Sequence, residues 1–212
     1  MARDDWFRNT EWNSEIEAAF LVKLKRARDK AQYLRIQACT LARKHPAAAL
    51  YLLEQYFGLG EHFDHAQAHV DRATAHLALG SLEEAIRSYE AALATEEKRP
   101  NLKTQAYLDL PFVIATQGIR GRYQQALHIL SEHKSRLMFP IDHFRWHTAH
   151  SLIYAELGNA PDAQAHAVRA LEAADKEHSG FRYHPGVGLV GDSYVGIRKK
   201  LAVNAIQLAI EP

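Results

Sequence analysis

The sequence predicts an all-α protein assembled from helix pairs, and three observations carry that reading. Alanine makes up about one residue in six while valine, isoleucine and threonine are sparse, a balance that favours helix over strand. A phrase in which one helix ends on a glycine and the next opens on a capping residue recurs along the chain. The apolar residues flanking each phrase fall at helical spacing, not in the alternation of a strand. With 212 residues, 47% of them hydrophobic and 24% charged, the chain has the material for a core without metal or disulfide staples. One helical-repeat domain over residues 1–212 is expected, divided into an amino-terminal capping helix (1–30), repeats (31–178), and a glycine-containing loop with a carboxyl-terminal helix (179–212).

Ser14 with Glu17 reads as a capping box that opens the first helix, which is expected to run to about Lys30 with Ile16, Phe20 and Leu24 on its inner stripe. Its wet side would carry Lys23, Lys25, Arg26, Arg28 and Lys30, continued by Arg35, and its dry side Leu21, Leu24, Ala27 and Ala31. A weaker pair follows from Ala31 to Phe57, with Tyr33, Ile36 and Ala38 before a break at His45-Pro46 and Ala49, Leu50, Leu53 and Tyr56 after it. Cys39, the single cysteine, has apolar neighbours and reads as a small buried side chain.

The clearest phrase is Ala78-Leu79-Gly80-Ser81-Leu82-Glu83-Glu84-Ala85-Ile86. Gly80 can take the left-handed conformation that ends a helix, and Ser81 with Glu84 forms a capping box for the next. Ala85 and Ala92 are small where two helices must approach, and Ile86, Tyr89 and Leu93 share one face. The phrase returns at Ala155-Glu156-Leu157-Gly158-Asn159-Ala160-Pro161, with Asn159 as the cap and Pro161 in the first turn, where its missing N–H costs nothing. Between them, Ala115-Thr116-Gln117-Gly118 ends a helix whose partner opens at Tyr123, after an insertion from Ile119 to Arg122. A last helix is expected from Asp192 to about Ile210, with Tyr194, Ile197, Leu201 and Leu208 on one face.

These phrases resemble tetratricopeptide repeats over roughly residues 30 to 175, with Ala85, Ala126 and Ala163 at equivalent positions. The opening, Trp6-Phe7-Arg8-Asn9-Thr10-Glu11-Trp12, is similar to the starts of some bacterial repeat proteins of this kind. The resemblance implies a right-handed α-solenoid of about four such pairs, in which the first helix of each pair lines a concave groove. By that alignment the groove would present Leu34 and Ala38, then Gln67, Val70, Thr74 and Leu77, then Gln105, Leu108 and Phe112, then Arg145, Thr148 and Leu152. Such a surface is largely apolar and would take a peptide or helix of a partner protein. The chain's own last helix or a second copy of the chain are the competing occupants. The function expected is a non-enzymatic scaffold or adaptor without cofactor; the alternatives are a ligand-responsive sensor and a metal-binding protein.

The charge balance, 26 basic against 25 acidic side chains for a net +1, disfavours nucleic acid and anionic membrane as partners. No stretch approaches the roughly 20 apolar residues of a spanning helix, and Arg3, Asp4 and Asp5 stand where a signal peptide would place its basic start. A cytoplasmic location is the expectation. Two of the histidine groups have ligand-like spacing: His143, His147 and His150, with Asp142 beside them, and His62, His65 and His69. Solvated or core histidines are the commoner outcome at such spacing, and neither group carries the glutamate of a metallohydrolase. Gly186-Val187-Gly188-Leu189-Val190-Gly191 has the glycine spacing of a dinucleotide loop but follows a helix where that loop needs a strand. A connector that folds the last helix back is the simpler reading, with Arg182, Tyr183 and His184 as candidate contact residues.

Overall fold

The computed structural model describes residues 5–206 of the chain. Among them it is all-helical: ten α-helices, three short 3-10 turns and no strand. The helices are α1 (Ser14–Arg26), α2 (Lys30–Leu41), α3 (Pro46–Gly58), α4 (His65–Ala78), α5 (Leu82–Lys98), α6 (Ala106–Thr116), α7 (Tyr123–Glu132), α8 (Pro140–Glu156), α9 (Ala160–Ala174) and α10 (Val195–Ile206). The chain divides into two compact units, Met1–Ala106 and Tyr107–Pro212.

The three glycine phrases fold alike, and backbone geometry explains why. Gly80, Gly118 and Gly158 all have positive φ, at 73°, 67° and 76°. Each lets the chain turn so that the next N–H donates to the carbonyl five residues back: Ser81 to His76, Ile119 to Ile114 and Asn159 to Tyr154, at 2.9, 3.0 and 2.9 Å. The helices on either side meet through small residues. Ala85 and Ala92 of α5, and Ala167 and Ala170 of α9, are fully buried. The insertion after Gly118 becomes a 3-10 turn, Arg120–Arg122, whose Arg120 guanidinium binds the Glu156 carboxylate at 2.6 Å.

In the first unit, α1 to α3 and the segment before them enclose a core of Phe20, Leu24, Leu34, Leu41, Leu52, Leu53 and Tyr56. Trp6 and Phe7 pack at its edge against Phe20 and Tyr33. Asn13, not Ser14, caps α1, its side chain accepting from the Ile16 N–H at 2.9 Å. The helix stops at Arg26, four residues before the expected end, because Asp29 caps a new helix through the Gln32 N–H. Ser81 does stand at the start of α5, but its side chain makes no capping bond.

Arg35 departs from the exposed basic face expected of it. Its guanidinium reaches across to α4 and pairs with Asp71 at 3.2 Å and with Asp64, just before that helix, at 3.0 Å. Cys39 is exposed, not buried. Its thiol is nonetheless pushed up to about 11 by desolvation and the Asp71 carboxylate, which keeps it protonated and a poor nucleophile at neutral pH.

In the second unit, Phe144, Ala167, Ala170, Ala173 and Leu201 join α8, α9 and α10 in one cluster, with Ile197 and Tyr194 against it. Leu208 lies outside the described residues. The glycine-rich connector has a packing role. The Gly188 carbonyl accepts from the Ile141 N–H at 2.8 Å, satisfying a donor in the first turn of α8. A Cβ on Gly188 would lie 2.5 Å from Phe139 Cβ, so this glycine is required by close approach as well as by its φ of 69°.

Candidate functional site

The groove positions divide sharply by exposure. Leu34, Ala38, Val70, Leu108, Thr148 and Leu152 are buried within the chain, while Gln67, Thr74, Leu77, Phe112 and Arg145 are half-exposed and Gln105 is exposed. Local partners hold most of the second set. Gln67 donates to Asp71 at 3.1 Å, and the Thr74 hydroxyl to the Val70 carbonyl at 3.1 Å. Arg145 pairs with Asp109 at 2.6 Å and lies 4.6 Å above the Phe112 ring. Tyr194, from the turn before α10, meets Phe112 edge-on at 6.0 Å and Phe144 at 5.2 Å. The carboxyl-terminal segment therefore covers part of this face itself.

The histidines of α8 do not converge as their spacing suggested. His143 is exposed, and Asp142 is occupied as the helix cap, its carboxylate accepting from the Met138 and Phe139 N–H groups at 3.1 and 3.0 Å. The residue brought to His147 and His150 is His166 of α9, a site the sequence reading missed. His147 and His166 face each other Nδ1 to Nδ1 at 2.9 Å, so one ring donates and the other accepts. His150 places Nδ1 2.9 Å from the Trp146 carbonyl. A carbonyl can only accept, so Nδ1 carries the proton and Nε2 is the ring's acceptor. No group of three or more His, Cys, Asp or Glu among the described residues is arranged to hold a metal.

These rings instead build an aromatic wall. Trp146 and His150 lie 3.9 Å apart, His150 and His166 stack at 4.6 Å with only 12° between their planes, and Tyr154 closes the group 5.7 Å from His166. Trp146 is fixed by its indole N–H, which donates to the Leu130 carbonyl of α7 at 3.1 Å. The wall borders a pocket of about 560 Å³. Helix α7 contributes Gln124, Leu127, His128 and Ser131 to its lining, and Lys134 stands in the turn that follows, 5.6 Å over the Trp146 ring. Burial, reinforced by neighbouring imidazoles and Arg169, holds His147 at about 3 and His166 at about 4, and burial also lowers His150.

The other histidine group, in the first unit, packs differently. His69 stacks on Phe57 at 4.7 Å, and His65 meets Phe57 edge-on at 5.1 Å. The Arg72 guanidinium covers Phe57 at 4.8 Å and donates to the Ser88 hydroxyl at 3.2 Å. Nδ1 of His65 and of His69 is buried without a hydrogen-bond partner, and burial holds His69 at about 4. These imidazoles serve as neutral aromatic fillers. Arg182 and Tyr183 stand in the exposed connector, the guanidinium 5.4 Å over the ring.

No family model matches the chain, and comparison with the curated proteins and with the solved structures finds no match.

Proposed function

We propose that the protein is a non-enzymatic interaction module built from helix pairs of the tetratricopeptide kind, which binds a protein or peptide through the first helices of its pairs. The observation that supports this reading is the hairpin turn repeated on Gly80, Gly118 and Gly158 with closely matching backbone bonds. Hairpins of fixed turn and alanine-lined contact hold their first helices rigidly, and rigid helices can bind without paying much ordering entropy. Gln67, Thr74, Leu77 and Gln105 supply accessible contacts in the first unit, and Phe112 and Arg145 in the second; the buried positions Leu34, Ala38 and Val70 in the first and Leu108, Thr148 and Leu152 in the second hold the helices in place.

A photo-crosslinking amino acid placed at Leu77 or at Gln105, with one at Ala94 on the exposed side of α5 as control, tests the reading in cells of the source organism. One discrete adduct from Leu77 and Gln105 but not from Ala94 is expected. No adduct at either position, or the same adducts from all three, would overturn it.

A further inference from the structure

We infer that the pocket between α7 and α9 is a binding site for a small organic acid with a flat apolar body. The site stands independently of the partner-binding reading, because it is built from α7, α8, α9 and one short turn within a single unit. At about 560 Å³ it lies within the size range of sites for small molecules. One side offers aromatic ring surface, Trp146 tilted by 36° against His150 and Tyr154 beside His166, on which a planar body gains contact area.

The polar groups of the pocket point to an anion. Lys134 supplies a cation at the rim, Gln124, Ser131 and Tyr154 supply neutral donors, and among the described residues no carboxylate lines the pocket. Burial first, and then His150, Arg169 and Lys134, oppose a charge on His166, which only Asp162 favours; burial and Lys134 likewise oppose a charge on His150. An imidazole whose protonation is opposed by neighbouring cations accepts a proton more readily once an anion sits beside it. His150 has a built acceptor for that proton, since its Nδ1–H is committed to the Trp146 carbonyl and Nε2 holds the lone pair. A ligand arriving as the carboxylate takes up one proton from solvent at this site; one arriving as the acid passes its own proton to Nε2, and the same ion pair results.

The groups that face His150 and His166 are His128 of α7, Lys134 of the following turn, His147 and Tyr154 of α8, and Asp162 and Arg169 of α9. His147 does not line the pocket and the Nδ1 atoms of His147 and His166 are committed to each other, so the proton taken up on binding belongs to His150.

Isothermal titration of the full chain with benzoate, 1-naphthoate and indole-3-carboxylate tests the site, with 1-naphthamide and 1-naphthylmethylamine as the neutral and cationic counterparts. At least one carboxylate is expected to bind saturably at one per chain, at least about tenfold tighter than the amide, the amine showing no saturable heat. Affinity should rise from pH 8 to pH 6, and buffers of different ionisation heat should reveal proton uptake on binding. Lys134 is exposed, so Lys134→Gln preserves the fold and should weaken the carboxylate alone by about tenfold. Inorganic phosphate serves as the control for a simple anion site and should fail to compete. Failure of all three carboxylates, equal binding of the amide, competition by phosphate or indifference to Lys134→Gln would each overturn the assignment.

Discussion

The two units carry histidines at similar helical spacing and use them differently. In the first unit His65 and His69 press against Phe57 with their Nδ1 atoms unpartnered, whereas in the second His147 and His150 have a hydrogen-bonded Nδ1 and His150 lines a pocket. Spacing along a helix brings the rings to one face in both cases; the element opposite decides what they do there. Phe57 of α3 turns one set into core, and His166 of α9 turns the other into a wall with a polar edge. A spacing motif therefore reports half of a site, and the other half lies on a different helix.

Replacing the aromatic anchor of each set should separate them most widely. Trp146→Ala removes a buried ring and its bond to Leu130, and is expected to cost about 3–5 kcal/mol in chemical denaturation. Phe57 is only half-buried, so Phe57→Ala should cost about half as much. Equal losses would mean that the two walls bear the same load.

Acid should weaken both units. His147 at about 3 and His69 and His166 at about 4 lie below the ordinary imidazole value of 6.5, so the unfolded chain binds protons first. Stability from these groups is complete above about pH 6.5 and is lost as pH falls towards 4. Thermal midpoints that decline from pH 7 to pH 5, together with ring resonances of these three residues that stay neutral at pH 5, are expected. A midpoint that is flat or climbs over that interval contradicts the account.

Removing single imidazoles sharpens the contrast. His150→Leu deletes a made hydrogen bond and should cost about 1 kcal/mol, while His69→Leu deletes a buried nitrogen without a partner and should be neutral to within about 0.5 kcal/mol, or stabilising. Both are read from urea midpoints. The smallest expected difference is between the cations. Arg72→Gln loses the Phe57 ring and the Ser88 bond for about 1 kcal/mol, whereas exposed Lys134→Gln should cost no more than about 0.5 kcal/mol. A larger loss at Lys134 would mark it as structural.

The helix turns were legible in the sequence because positive φ is nearly a glycine property, so Gly80, Gly118 and Gly158 announce themselves. Neighbouring capping residues were less so: Asn13 and Ser14 are equally good caps, and only the path of the chain selects one. Long-range pairs left no trace. Arg35 looked like the continuation of an exposed basic run because its partners, Asp64 and Asp71, lie 29 and 36 residues away. His166 was invisible for the same reason, since it shares no helix with His147. Exposure along the first helices was not readable, because it depends on what the next helix and Tyr194 cover.

The hydrogen bond from the Ile141 N–H to the Gly188 carbonyl gives this molecule a built-in clock. An amide in the first turn of a helix has no partner inside the helix and ordinarily exchanges its hydrogen with solvent quickly. Here that exchange must wait until the connector lifts from Phe139. The deuterium uptake rate of one backbone amide thus times the opening of the segment that leads to α10, with no label attached.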